Sequence, residues 1–100
     1  MKEIYELRIY EVKPNEMDRL LKVWKLNYKK ISKYFNCIGI WVPQSGNINS
    51  VYHLYKWKSY EEMEKNKKLF KINMIKYIQI VKKMYVIQTS IILKDIGIRK

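Results

Sequence analysis

Apolar and polar positions alternate from Ile4 to Lys13: Tyr5, Leu7 and Ile9 fall on one side of an extended chain, and Glu6, Arg8 and Tyr10 on the other. Period-two alternation of β-branched and aromatic residues predicts a first strand. Lys13-Pro14-Asn15 ends it, with Asn15 placed to cap a helix and Asp18 near the free N–H groups of its first turn. Met17, Leu20, Leu21, Trp24, Tyr28 and Ile31 then recur at helical spacing, an apolar stripe for packing on a sheet. Cys37 to Val42 is a short apolar run and predicts strand two. Pro43-Gln44-Ser45-Gly46-Asn47 is turn chemistry, so the strand over Val51 to Trp57 closes a hairpin with it.

Ser59-Tyr60-Glu61-Glu62 has the S-x-x-E form of a capping box and starts a second helix, bent near Phe70–Asn73. Met74 to Met84 continues with Met74, Tyr77, Ile78, Val81 and Met84 on one side. Tyr85 to Lys94 is rich in β-branched residues and predicts the last strand, and Gly97 to Lys100 is a tail. The order β-α-β-β-α-β is the split βαβ pattern, a ferredoxin-like α+β fold. It implies a four-stranded antiparallel sheet, strands one and three central, with both helices on one face.

The more apolar side of strand one is expected under the helices. The bare face then carries Glu6, Arg8 and Tyr10, joined from strand three by Val51, His53, Tyr55 and Trp57. Such a face is too apolar for water and too polar for a plain core. Pairing with a second copy buries it, so a homodimer is expected.

Length and composition narrow the picture. One hundred residues, 1–100, make a single domain. With 48% hydrophobic and 14% aromatic residues the chain is globular, not disordered. The net charge of +12 suits an anionic partner or simply a solvated basic surface. Arginine occurs only at Arg8, Arg19 and Arg99, which argues against specific phosphate or base recognition. Cys37 is the one cysteine, so no disulfide framework or Cys-based zinc site forms, and its apolar surroundings make it inert rather than nucleophilic. The start Met1-Lys2-Glu3-Ile4-Tyr5-Glu6 lacks the apolar run of a signal peptide, and no stretch has the length of a membrane span. A cytoplasmic protein is the expectation.

The chain resembles the NIPSNAP family over about ninety residues. Ile4-Tyr5-Glu6-Leu7-Arg8-Ile9-Tyr10 is similar to the family's Y-E-L-R-x-Y strand, and Lys13-Pro14-Asn15 to its K-P-G segment, with Asn for Gly. Gly39-Ile40-Trp41 resembles G-Y-W, and the stretch from Gly46 to Trp57 resembles G-x-L-N-x-V-x-H-L-W-x-Y. The resemblance implies a dimeric α+β barrel, a fold that also houses small monooxygenases, cyclases, isomerases and haem-degrading enzymes. Animal relatives are tied to organelle and vesicle roles, and bacterial ones are mostly of unknown activity. Two segments depart from the pattern: Lys71-Ile72-Asn73-Met74 stands for D-P-x-W, and Thr89-Ser90 for E-N.

His53 is the only histidine, so one chain builds no His-based metal site, and no cofactor is expected. Arg8 and Glu6 suit an anionic or carbonyl group, and Tyr10 and Tyr55 supply phenolic donors, with Trp57 beside them. A neutral His53 near an Arg suits a general base, which makes His53 and Arg8 the catalytic candidates. The same residues also read as a satisfied polar network fixing strand register or a dimer interface. Three functions remain open: a barrel that binds, with conversion left open, a small aromatic or polyketide-like metabolite in a metal-free cavity on the bare sheet face; a non-catalytic dimeric interaction protein; and nucleic-acid binding. For the last, strand three lacks the glycine-rich RNP pattern, so only nonspecific contact is expected.

Overall fold

The computed structural model describes residues 3–98. Met1, Lys2, Arg99 and Lys100 lie outside the described residues, including the end of the expected tail. The elements are β1 (Ile4–Val12), α1 (Met17–Ile31), β2 (Cys37–Trp41), β3 (Ser50–Trp57), α2 (Tyr60–Asn73), α3 (Ile75–Lys82) and β4 (Tyr85–Lys94). The sheet runs β2-β3-β1-β4 with every neighbouring pair antiparallel, so β1 and β3 are central. The predicted order holds, and the expected bend in the second helical region falls at Met74, which separates α2 from α3.

Antiparallel register decides which side chains share a face. Glu6 pairs with Tyr55, Arg8 with His53 and Tyr10 with Val51. These residues and Trp57 therefore lie together, as their alternation predicted. The face is the opposite of the expected one. Glu6, Tyr10, Val51, His53, Tyr55 and Trp57 are buried under the helices. The bare face instead carries the other parity: Tyr5, Leu7, Ile9 and Glu11 from β1, and Tyr52, Leu54 and Lys56 from β3.

The physical reason lies in the ends of the strands. Ile4 and Trp57 anchor one core cluster with Ile31, Phe35, Tyr55 and Met63. Val12 and Val51 anchor a second with Leu20, Val81 and Met84. Both clusters use the same parity as Glu6 and Arg8. Burying Trp57 and its neighbours outweighs covering Leu7 and Ile9, because large aromatics bring the most apolar area. The polar middle of β1 is thus sealed between two apolar ends.

The turn before α1 also departs from expectation. Asn15 does not cap the helix: it sits at φ 66°, and Glu16 occupies the cap position without a side-chain cap bond. Asn is among the few residues that tolerate this left-handed conformation, which accounts for Asn where the resembled pattern has Gly. In β2, a Cβ on Gly39 would fall 2.6 Å from the Trp41 indole, so the glycine lets that ring lie back along the strand.

Candidate functional site

Between the sealed apolar ends the two layers do not meet fully, and a cavity of about 430 Å³ remains, on the helix-covered face of the sheet and not on the bare face where it was expected. The sheet contributes Arg8 and Tyr10 from β1, His53 and Tyr55 from β3, and Tyr85 and Gln88 from β4. The helices close it with Trp24 from α1, Lys67, Phe70 and Lys71 from α2, and Tyr77 and Lys82 from α3. Of the six residues singled out from the sequence, Arg8, Tyr10, His53 and Tyr55 line this space. Glu6 and Trp57 are not among the lining residues; they form its foundation.

Glu6 is fully buried and saturated with donors. Trp57 Nε1–H donates to its Oε1 at 3.3 Å, while Lys67 Nζ at 2.7 Å and Ser90 Oγ at 2.6 Å donate to Oε2. Burial pushes the carboxyl up, but the bonds from Lys67 and Ser90 and the charges of Arg8 and Lys67 outweigh it, and the net shift is downward. Ser90, one of the two residues departing from the E-N pattern, therefore supplies a short bond to the buried acid.

Arg8 lies beside this carboxylate, its Nε 4.0 Å from Glu6 Oε2, with its guanidinium carbon 5.4 Å from the Tyr10 ring centroid. Its Nε is buried without a hydrogen-bond partner among the described residues. His53 Nδ1 and the Tyr55 hydroxyl are 2.6 Å apart. Trp24 and Tyr10 meet the imidazole edge-on at centroid distances of 5.6 and 4.9 Å. Burial, and then the positive charge of Arg8, push the imidazole down to about 3. A neutral His53 was expected, but a conjugate acid this strong makes a poor base at neutral pH. The geometry gives His53 a hydrogen-bonding role instead. Burial raises Tyr10 to about 12 and also raises Tyr55, Tyr77 and Tyr85, so the phenols are donors, not phenolates.

Among the described residues no three His, Cys, Asp or Glu side chains gather as a metal-ligand set. Cys37 is half-buried, its thiol donates to the Gly39 carbonyl at 3.5 Å, and burial pushes its pKa up, as suits an inert cysteine. No helix among the described residues is long and apolar enough to cross a membrane.

A four-stranded antiparallel sheet with helices on one face, enclosing an aromatic and basic cavity between the layers, defines a ferredoxin-like α+β protein. The chain matches the NIPSNAP family model over residues 5–83 and belongs to that family. Protein NipSnap homolog 3A of Pongo abelii is 32% identical over 57 residues, a match taking in 56% of this chain and 23% of that protein. The matched stretch thus spans less than a quarter of the length of that curated relative. A NIPSNAP family protein of Agrobacterium tumefaciens superposes with a TM-score of 0.91 at 20% identity, covering 98% of this chain and 90% of that one. The fold is shared more widely. A Nitrosomonas europaea protein given the provisional description antibiotic biosynthesis monooxygenase superposes with a TM-score of 0.72 at 9% identity, over 96% of this chain and 92% of the other.

Proposed function

We propose that the protein is a homodimeric barrel that binds a small aromatic or polyketide-like metabolite in the cavity between sheet and helices. The observation that carries this is the cavity lining: Tyr10, Trp24, Tyr55 and Tyr77 form flat apolar walls, and Arg8 and His53 supply polar points. A few convergent polar groups in an aromatic pocket of several hundred cubic ångströms is the usual makeup of a small-molecule site. Arg8, His53, Tyr10 and Tyr55 are the ligand contacts in this reading, while Glu6 and Trp57 position Arg8 and the strand beneath it. Neither a metal nor a cofactor is needed. Conversion of the ligand is the further option, and it would rest on Arg8 polarising an oxygen atom and His53 orienting the same group.

The dimer rests on the bare face. Leu7, Ile9, Leu54, Ile91 and Leu93 fall there with Trp41, and the strand residues of this face carry one acid, Glu11, and one base, Lys56. A molecule of net charge +12 meets a second copy most easily where its own surface is apolar and balanced.

Substituting His53→Ala separates the readings. In the ligand-binding reading, isothermal titration against a panel of small aromatic acids and phenols finds a binder for the native protein and none for the variant. Stability falls by about 1–3 kcal/mol in either reading, because the Tyr55 hydroxyl loses its partner, but if His53 serves only a polar network no binder is found for either protein. That outcome leaves the non-catalytic dimeric interaction protein, which the exposed apolar sheet face favours.

A further inference from the structure

We infer that the cavity takes an acid: a small aromatic ligand whose planar oxyanion, of the carboxylate kind, docks on Arg8. This rests on the small-molecule reading above and names its ligand class. Four cations, Arg8, Lys67, Lys71 and Lys82, line the cavity, and no carboxylate does. Glu6 is the nearest acid, and it is already occupied by Trp57, Lys67 and Ser90. Lys67 is thereby committed to Glu6. Arg8 is not: at 4.0 Å its Nε is beyond hydrogen-bond distance from the carboxylate, and it is buried without another acceptor. The Arg8 side chain is 18% exposed and lines the cavity, and its guanidinium makes no hydrogen bond among the described residues, so its cavity-facing N–H groups call for an acceptor from outside the chain.

A neutral carbonyl would also satisfy those donors. The charge count favours an anion. Lys71 and Lys82 are exposed to solvent and have no ion-pair partner among the described residues, so they add a positive, salt-screened potential to the buried charge of Arg8. Field lines concentrate in a low-dielectric cleft, which draws in the opposite sign. Burial, and then the charge of Arg8, keep His53 neutral, so it adds no charge to the cavity. The body of the ligand is aromatic because Tyr10 and Trp24 flank the polar point with ring faces and edges.

The test uses two probes of one shape, 2-naphthoate and 2-naphthamide, titrated calorimetrically into the full chain at neutral pH and about 0.15 M salt, where exposed lysines are largely screened. The acid should bind at least about tenfold tighter than the amide, the order expected of one charge-assisted hydrogen bond. Arg8→Gln should abolish that preference, read as the ratio of acid to amide affinity within the variant. Lys71→Gln combined with Lys82→Gln should reduce the preference and flatten its salt dependence. Should R8Q fail to fold by circular dichroism, Arg8→Lys keeps the charge without the Nε donor and should retain a weakened preference. Equal affinity for the two probes, a preference that survives in R8Q undiminished, or one seen only at low salt would each overturn the acid assignment and leave the aromatic cavity standing. Binding of neither probe would instead remove the small-molecule reading and this inference with it.

Discussion

Glu6 and His53 sit about one strand pairing apart, and burial acts on them with opposite results. Glu6 stays ionised because three donors reach it; His53 stays neutral because burial disfavours its charged form and the positive charge of Arg8 adds to that. Both arrangements make the fold sensitive to acid, in different windows. The unfolded chain protonates histidine near its ordinary 6.5, whereas the folded chain resists until about 3. Stability from this source is therefore complete above pH 6.5 and is lost as pH falls below it. Glu6 has a folded pKa below its ordinary 4.5, so its contribution is present above that value and is lost as pH falls through the folded one. Urea unfolding of the native protein should show stability falling already between pH 6.5 and 4.5, by at most about 1.4 kcal/mol per pH unit for one proton. His53→Gln should be flatter in that upper window. Glu6→Gln should be flatter only below it, and should be less stable at neutral pH by about 1–3 kcal/mol, because Lys67 loses its anionic partner. A native protein whose stability is level from pH 6.5 to 4.5 would show that His53 is solvated enough to titrate normally.

At the scale of elements, the strongest local signals sit at helix and strand ends. Ser59 Oγ accepts from the Glu62 backbone N–H at 3.1 Å, and the Glu62 carboxylate reaches back to the Lys58 N–H at 3.1 Å. That is the capping box anticipated from Ser59-Tyr60-Glu61-Glu62, displaced by one residue on the return bond. Ser59→Ala should cost about 1 kcal/mol, read as a lowered urea midpoint with an unchanged slope. Element order was legible from periodicity, the central pairing of β1 with β3 from the split βαβ pattern that this order makes, and the co-facial grouping of Glu6, Arg8, Tyr10, His53 and Tyr55 from alternation along the two paired strands. Which side the helices cover was not. Hydropathy of the middle of β1 favoured Leu7 and Ile9, and the decision belonged to Ile4, Val12, Val51 and Trp57, whose weight appears only when both strands are read in register. Lys71, Lys82 and Tyr77 escaped notice as cavity residues for a related reason. Helical spacing tells which residues share a stripe, but not how that stripe is rotated over the sheet. The nearest available signal was the departure at Lys71-Ile72-Asn73-Met74, which holds both a cavity lysine and the break between α2 and α3.

The whole molecule presents two unlike faces: a helical layer carrying many of the lysines, and a sheet face with very little charge. Leu7 and Leu54 are register partners at the middle of that face, and neither belongs to the two core clusters beneath the helices. Trp41 at the β2 edge is 53% exposed, and Ile91 and Leu93 on β4 are 42% exposed each. Covering these side chains with the same surface of a second copy is the isologous solution, since every apolar residue then meets an apolar residue without a new charge being buried. Light scattering at micromolar concentration should give twice the mass of the chain. Leu54→Glu would place a carboxylate at the centre of the interface in both copies at once. It should yield a monomer, while far-ultraviolet circular dichroism stays native, because the side chain lies outside the intramolecular core. A native protein that is already monomeric under these conditions would assign the bare face to some other partner. A variant that remains dimeric with native affinity would place the contact elsewhere, with the β4 edge the next surface to substitute.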